Sequence, residues 1–127
     1  MIDIKIQERD YRFITDERAR DVYDRLCAAC DAREGGITVA DQQLIGDYAR
    51  AEQLKYQLDE DILTRGIGKE RHNGRQSYWE ENKSIARRQS TIEQQRKLLA
   101  ELKLSAQSRK ADAAPVVVDD FDEFISH

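Results

Sequence analysis

Apolar residues recur at helical spacing in two stretches of this chain. The first stripe consists of Ala19, Val22, Tyr23, Leu26, Ala29 and Cys30, and the second of Leu44, Ile45, Tyr48, Ala51, Leu58 and Ile62. Spacings of three and four residues place each set on one face of a helix. Because only a short connection separates the two stripes, they predict a pair of helices packed antiparallel as a hairpin.

Capping signals define the ends of these two helices. Thr15 is the predicted N-cap of the first, and Thr38 with Asp41 resembles a capping box that begins the second. Gly35-Gly36 ends the first helix and Gly66 the second. Residues 1–14 show no sustained period, so we expect a mobile or loosely docked N-terminal segment there.

A third helix is predicted to begin near Ser77 to Glu80 and to run to about Lys103. Its apolar positions are too sparse to fill a monomeric core, but such a helix can line a subunit interface or a solvated channel. The predicted interface residues are Ile85, Ile92, Leu99 and Leu102. Before this helix, Asn73-Gly74 suits a type I′ turn, so a short β-hairpin is predicted around residues 67–78. The predicted fold class is therefore mainly all-α.

The composition of the chain favours self-association. Of the 127 residues, 36% are charged, 39% hydrophobic and only 7% aromatic, which describes a solvated helical chain with a thin core. Oligomerisation is the expected source of additional buried surface. No stretch reaches the roughly 18 to 20 apolar residues of a membrane span, and the first residues lack the apolar core of a signal peptide. We therefore expect a cytosolic protein with no membrane partner.

The net charge of −4 conceals a strong segregation along the chain. Residues 1–65 carry 10 basic and 15 acidic side chains, residues 66–110 carry 11 and 5, and residues 111–127 carry 0 and 5. A basic block between two acidic ones is suited to phosphate, although a solvated helix face explains scattered charge equally well. The candidate DNA contacts are Lys69, Arg71, Arg75, Lys83, Arg87, Arg88, Arg109 and Lys110. Tyr78 and Trp79 are candidates either for stacking on bases or for stapling the turn to a neighbouring helix.

No catalytic constellation is convincing. Cys27 and Cys30 have the spacing of a redox or zinc half-site but lie within a helical pattern, which favours buried reduced thiols. Arg71-His72-Asn73-Gly74 lacks the second histidine of a nuclease motif. We predict neither an enzyme nor a metal or other cofactor.

The acidic end of the chain forms a segment of its own. Residues 111–127 are predicted to be a flexible tail, which is either an interaction peptide or a plain solubilising extension. Its candidate partner-binding residues are Phe121, Asp122, Glu123 and Phe124.

Several of these features together resemble a known family. They are the helix pair, Asn73-Gly74-Arg75, a long helix with Arg87-Arg88, and the closing phrase Leu98-Leu99-Ala100-Glu101-Leu102-Lys103-Leu104-Ser105-Ala106-Gln107-Ser108-Arg109. This order is similar to that of the small subunits of bacteriophage terminases, and the resemblance covers roughly residues 16–110.

The resemblance implies a specific role. Terminase small subunits form rings, recognise double-stranded viral DNA in the host cell cytoplasm, and regulate a large subunit that holds the ATPase and nuclease. Residues 15–110 would then form the oligomerisation and DNA-handling core. The alternative is a helical oligomeric adaptor that binds only proteins.

Overall fold

The computed structural model describes residues 1–103, and this part of the chain is mainly helical. Its elements in chain order are α1 (Ile4–Phe13), α2 (Glu17–Asp31), α3 (Val39–Arg65), β1 (Gly68–Asn73), β2 (Gln76–Glu81) and α4 (Lys83–Glu101). The predicted helical class with a short β-hairpin is confirmed. The acidic tail, with Phe121, Asp122, Glu123 and Phe124, and the candidate contacts Arg109 and Lys110 lie outside the described residues.

A helix occupies most of the segment that we expected to be loosely docked. Asp3 caps α1 by accepting a hydrogen bond from the Ile6 amide at 3.1 Å, and Ile14 just after the helix is fully buried. The Asp3 backbone exchanges two hydrogen bonds with the side chain of Gln42 on α3, at 2.8 and 2.9 Å. In this structure α1 is thus docked onto the other helices, whereas the predicted mobility of residues 1–14 stays a prediction. Polar groups hold this helix, and such groups leave no apolar period in a sequence.

Asp10 is the central anchor of α1. Its side chain is 1% exposed and accepts a hydrogen bond of 2.8 Å from the hydroxyl of Tyr23 on α2. On its other side lies Gly46 of α3, where an added Cβ would come within 2.9 Å of the Asp10 carboxylate. The absence of a side chain at residue 46 therefore allows α1 to approach α3 closely.

Helices α2 and α3 form the predicted antiparallel hairpin. The Asp16 amide at the start of α2 donates to Gln53 in the middle of α3 at 2.9 Å, whereas Asp31 at the end of α2 accepts from the Ile37 amide, just before α3. The N-cap of α2 is Asp16 and not Thr15, because the Asp16 carboxylate accepts from the amides of the first turn. The capping box of Thr38 and the stop at Gly66 are confirmed.

The core lies between α2, α3 and the last turns of α4. It contains Tyr23, Leu26, Cys27 and Ile45, together with Leu98, Leu99 and Leu102. The third predicted helix thus does contribute to a monomeric core, contrary to expectation. Its apolar residues are concentrated at one end, and this end covers the α2–α3 hairpin.

The start of the last helix is also corrected. Residues 76–81, where we expected its first turn, form strand β2, and α4 begins at Lys83 after Asn82 caps it by accepting from the Ser84 amide at 3.0 Å. Backbone pairing with β1 overrides the helical preference of Glu80 and Glu81, because each strand supplies hydrogen bonds that the other needs.

Away from the core, α3 and α4 meet through polar side chains, which we call the polar seam: Glu52, Lys55, Asp59, Arg88 and Gln95. Gln95 donates to Glu52 at 2.6 Å, and both are at least nine-tenths buried. Lys55 bridges to Glu52 at 3.0 Å, and Arg88 pairs with Asp59. Since later residues of α4 meet earlier residues of α3, the two helices run antiparallel, and the β-hairpin lies at the end where α3 leads to α4.

Candidate nucleic-acid interface

The β-hairpin places three candidate DNA contacts at the far end of the α3–α4 pair. Lys69 lies opposite Glu80 and Arg71 opposite Tyr78, and Asn73 pairs with Gln76. The two central turn residues are therefore Gly74 and Arg75, and of these only Gly74 has a positive φ, at 64°. This pattern is that of a type II′ turn, so the predicted type I′ turn centred on Asn73-Gly74 is wrong.

The hairpin is less basic than the block of sequence that contains it. Its three basic residues, Lys69, Arg71 and Arg75, are balanced by Glu70, Glu80 and Glu81. Arg71 also forms an ion pair with Glu80. A surface with zero formal charge gains little from counterion release on DNA, so the positive excess of residues 66–110 must lie elsewhere.

A polar cluster at the base of the hairpin fixes its junction with α4. Arg65 donates two hydrogen bonds to Asp61, at 2.7 and 2.6 Å, and a third to Asn82 at 3.1 Å. The Ser84 hydroxyl donates to the same carboxylate at 2.6 Å. The pKa of Asp61 lies well below its usual range, mainly because Arg65 donates hydrogen bonds to its carboxylate and secondly because Ser84 does so. Asp61 in turn raises the pKa of Arg65.

Beside this cluster lies an open groove of about 280 Å³. It is lined by Arg65, Gly68, Lys69, Arg71, Glu80, Glu81 and Asn82. Two of its three cations are already paired, Arg65 with Asp61 and Arg71 with Glu80. Neither Arg65 nor Asn82 was predicted from the sequence. Asp61 lies only one helical turn before Arg65, but Asn82 joins the cluster from 17 residues further along the chain.

The outer face of α4 carries the available positive charge. Lys83 and Arg87 are exposed, as is Lys97, which was not among the predicted contacts although it follows at helical spacing on the same face. None of these three side chains has a hydrogen bond or ion pair within residues 1–103. Arg88 differs, since it is half-buried and engaged with Asp59 in the polar seam. Its predicted role as a DNA contact is therefore at odds with its position.

The predicted interface residues divide into two classes. Ile85 and Ile92 are half-buried on the flank of α4. Leu99 and Leu102 are only 2% and 1% exposed within a single chain. These two leucines already form part of the core of a single chain, whereas Ile85 and Ile92 keep some exposed surface. The predicted subunit interface itself stays a prediction.

The two aromatic residues before α4 lie on strand β2 and not at a helix start. Tyr78 is 52% exposed and Trp79 is 59% exposed, and adjacent strand residues point to opposite faces. The Trp79 ring packs over Gly68, where an added Cβ would lie 2.7 Å from it. About half of each side chain thus remains exposed, and the two lie on opposite faces of the hairpin.

The cysteines belong to the core. Cys27 and Cys30 are free, fully buried thiols, and burial raises their pKa to about 12 and about 11. Such thiols are poor nucleophiles and poor ligands at neutral pH. Within residues 1–103, no group of three or more His, Cys, Asp or Glu side chains is arranged to hold a metal ion. No helix in this range is long and apolar enough to cross a membrane.

Residues 1–103 thus combine a small helical core, a helix face with exposed cations and an exposed β-hairpin. Residues 19–116 match the family described as phage terminase, small subunit. This match spans well over half of the chain, so the protein belongs to that family, and the family fits a role in phage DNA packaging. No curated protein and no solved structure gives a significant match.

Proposed function

We propose that this protein is a ring-forming, DNA-binding regulator of a phage packaging terminase. In this proposal it recognises double-stranded viral DNA in the host cell cytoplasm, and it recruits and regulates the large subunit that holds the ATPase and nuclease. The chain itself has no catalytic role. Membership of the small-subunit family supports the packaging role.

The observation that carries DNA binding is the row of Lys83, Arg87 and Lys97 on the outer face of α4. At 1.5 Å per residue this row is about 21 Å long, which is enough to follow several successive phosphates of one strand. Because each copy in a ring presents the same row, the individually weak contacts add up around the assembly. Several subunits together thus supply the number of phosphate contacts that one helix cannot supply alone.

We expect the double substitution Lys83→Gln/Arg87→Gln to weaken DNA binding and to reduce its salt dependence. Each phosphate contact contributes about 0.9 to the slope of log K against log salt concentration, so losing two contacts per bound subunit flattens the slope by about 1.8. The measurement is a fluorescence-anisotropy titration of duplex DNA at several salt concentrations.

Arg88→Gln is the matched control, because it changes the neighbouring residue in the same way but affects the polar seam. We expect its salt slope to equal that of the parent, while its free energy of unfolding falls by about 0.2–1 kcal/mol, as for a partly exposed ion pair. If Lys83→Gln/Arg87→Gln leaves the slope unchanged, the DNA contact lies elsewhere. If the parent shows no salt-dependent binding at all, the adaptor alternative is the better description.

A further inference from the structure

Among the elements of residues 1–103, the β-hairpin is the least covered. In residues 1–103 the sheet consists only of β1 and β2, so each strand has one paired edge and one open edge. Every residue of the two strands is exposed except Gly68 and Glu80, which are half-buried. A two-stranded hairpin alone is marginally stable in water, and open strand edges are templates for pairing with another chain.

The two open edges have opposite charge character. Strand β1 carries Lys69 and Arg71 on one face and Glu70 on the other, for a net charge of +1. Strand β2 carries Glu80 on the first of these faces and Glu81 on the second, for a net charge of −2. Within the chain, Lys69 stands opposite Glu80, and Arg71 forms an ion pair with it. The same complementarity is available between chains, because β1 of one copy can lie beside β2 of another.

Pairing of like edges is disfavoured by the same residues. Two β1 edges would bring the lysine and arginine pairs together, and two β2 edges would bring the glutamates together. Only the pairing of a β1 edge with a β2 edge avoids both repulsions. Such a head-to-tail contact generates a ring when the rotation between neighbouring copies closes. The zero formal charge of the hairpin also makes a second copy a better occupant than DNA.

We propose that the hairpin is a subunit interface in which the open edge of β1 pairs with the open edge of β2 in the next copy. The inference rests on the self-assembly proposed above and specifies where neighbouring copies meet. Tyr78 and Trp79, each more than half exposed in a single chain, become partly covered by the adjacent hairpin. Backbone hydrogen bonds supply affinity, and the charges select the partner edge.

A charge-swapped protein, Lys69→Glu/Arg71→Glu/Glu80→Lys/Glu81→Lys, tests this interface. Its intrachain pairs and its pairs with identical copies remain opposite in sign, so it should fold and assemble alone as the parent does. Mixed with the parent, however, every junction between the two proteins opposes like charges. After a cycle of dissociation and reassembly, native mass spectrometry should show mixed assemblies about tenfold or more below the statistical distribution.

Glu93→Lys/Arg96→Glu is the matched control, since it exchanges charges at two exposed positions of α4 outside the proposed DNA-binding row without changing the net charge, and it should mix statistically with the parent. Statistical mixing of the hairpin-swapped protein would overturn the hairpin interface while leaving self-assembly intact. Failure of the control to mix would also overturn it, because the exclusion would not be specific to the hairpin. A monomeric parent would overturn both this inference and the proposed ring.

Trp79 provides a second readout that needs no substitution, because it is the only tryptophan in the chain. On dilution, its emission should shift to longer wavelength at the concentration where the mass falls to that of a single chain. An emission maximum that is the same in assembled and dissociated protein would overturn the inference. It would indicate either an uncovered hairpin or one covered by a segment of its own chain.

Discussion

At the scale of single residues, the contact between Asp10 and Gly46 shows how a small part of the sequence sets the position of a whole helix. A carboxylate is rarely buried unless it is hydrogen-bonded. Here the Tyr23 hydroxyl donates to Asp10, and the Gln42 amide donates to Tyr23 at 3.1 Å. Glycine within a helix is less favourable than alanine by about 1 kcal/mol, which is consistent with its presence at residue 46 only because α1 needs the space.

We expect Gly46→Ala to lower the free energy of unfolding by about 1–3 kcal/mol, despite the better helix propensity of alanine. The new methyl group would meet both carboxylate oxygens of Asp10, at 2.9 and 3.0 Å, and so displace the hydrogen bond from Tyr23. Urea unfolding followed by circular dichroism measures this change.

The double variant Asp10→Ala/Gly46→Ala tests whether the clash with Asp10 causes the loss of stability in Gly46→Ala. In a background of Asp10→Ala, the change at residue 46 should be neutral or stabilising, because the clashing group is gone and only the propensity gain remains. An equal loss of stability in both backgrounds would show that residue 46 is constrained by something other than Asp10.

At the scale of elements, the junction between α3, the hairpin and α4 is held by polar groups and not by apolar packing. Asp61 collects hydrogen bonds from Arg65 and Ser84, and Asn82 donates to the Gly66 carbonyl at 2.9 Å while capping α4. This arrangement joins the last turn of one helix to the first turn of the next. We therefore expect the direction of the hairpin to depend on ionised Asp61.

Acidification should weaken this junction. Because the pKa of Asp61 is lowered in the folded state, its contribution to stability is fully present above its ordinary pKa of about 3.9 and is lost as the pH falls through the folded-state value. The difference in unfolding free energy between the parent and Asp61→Asn should therefore be largest above about pH 4 and shrink below it. Urea unfolding at low salt from pH 6 to pH 2.5 measures this difference.

Asp47→Asn supplies the comparison. Asp47 is exposed on the same helix, and its side chain makes no hydrogen bond or ion pair within the described part of the chain. Its substitution should give a difference that is small at every pH. A profile for Asp61→Asn that is equally flat would mean that the junction does not depend on this carboxylate.

At the scale of the whole molecule, charge is divided between regions of the chain. Residues 1–65 are acidic overall, α4 carries exposed cations, and residues 111–127 carry five acids and no base. If α4 contacts DNA and the hairpins join neighbouring copies, the acidic tail is left for the large subunit. Acidic residues there would steer the approach to a basic patch, and the two phenylalanines would supply affinity.

We expect Phe121→Ala/Phe124→Ala to abolish stimulation of the large subunit's ATPase while leaving assembly and DNA binding unchanged. Neutralising the acids instead, with Asp119→Asn/Asp120→Asn/Asp122→Asn/Glu123→Gln, should preserve maximal stimulation but weaken its salt dependence. Steady-state ATPase assays with both proteins and DNA distinguish these effects. Full stimulation by the phenylalanine variant would place the contact elsewhere, with α2, the first helix predicted from the sequence, as the next candidate.

The sequence by itself determined those features that depend on neighbouring residues. The apolar stripes predicted α2 and α3, Thr38 and Asp41 predicted a capping box, and Gly66 predicted the end of α3, because periodicity, caps and stops act within a few residues. The family resemblance, carried by the second half of the chain, is confirmed by the match of residues 19–116.

Only the tertiary structure decided which side chains are available. Arg87 and Arg88 are adjacent residues of the same type, so the sequence does not distinguish them. In the structure Arg87 is exposed to solvent, whereas Arg88 is paired with Asp59, 29 residues away. Leu99 is buried because the end of α4 covers the core, and α1 is anchored by a buried carboxylate that leaves no apolar pattern in the sequence. The physical reason is common to all three: burial and ion pairing depend on what the fold brings together across long separations in sequence.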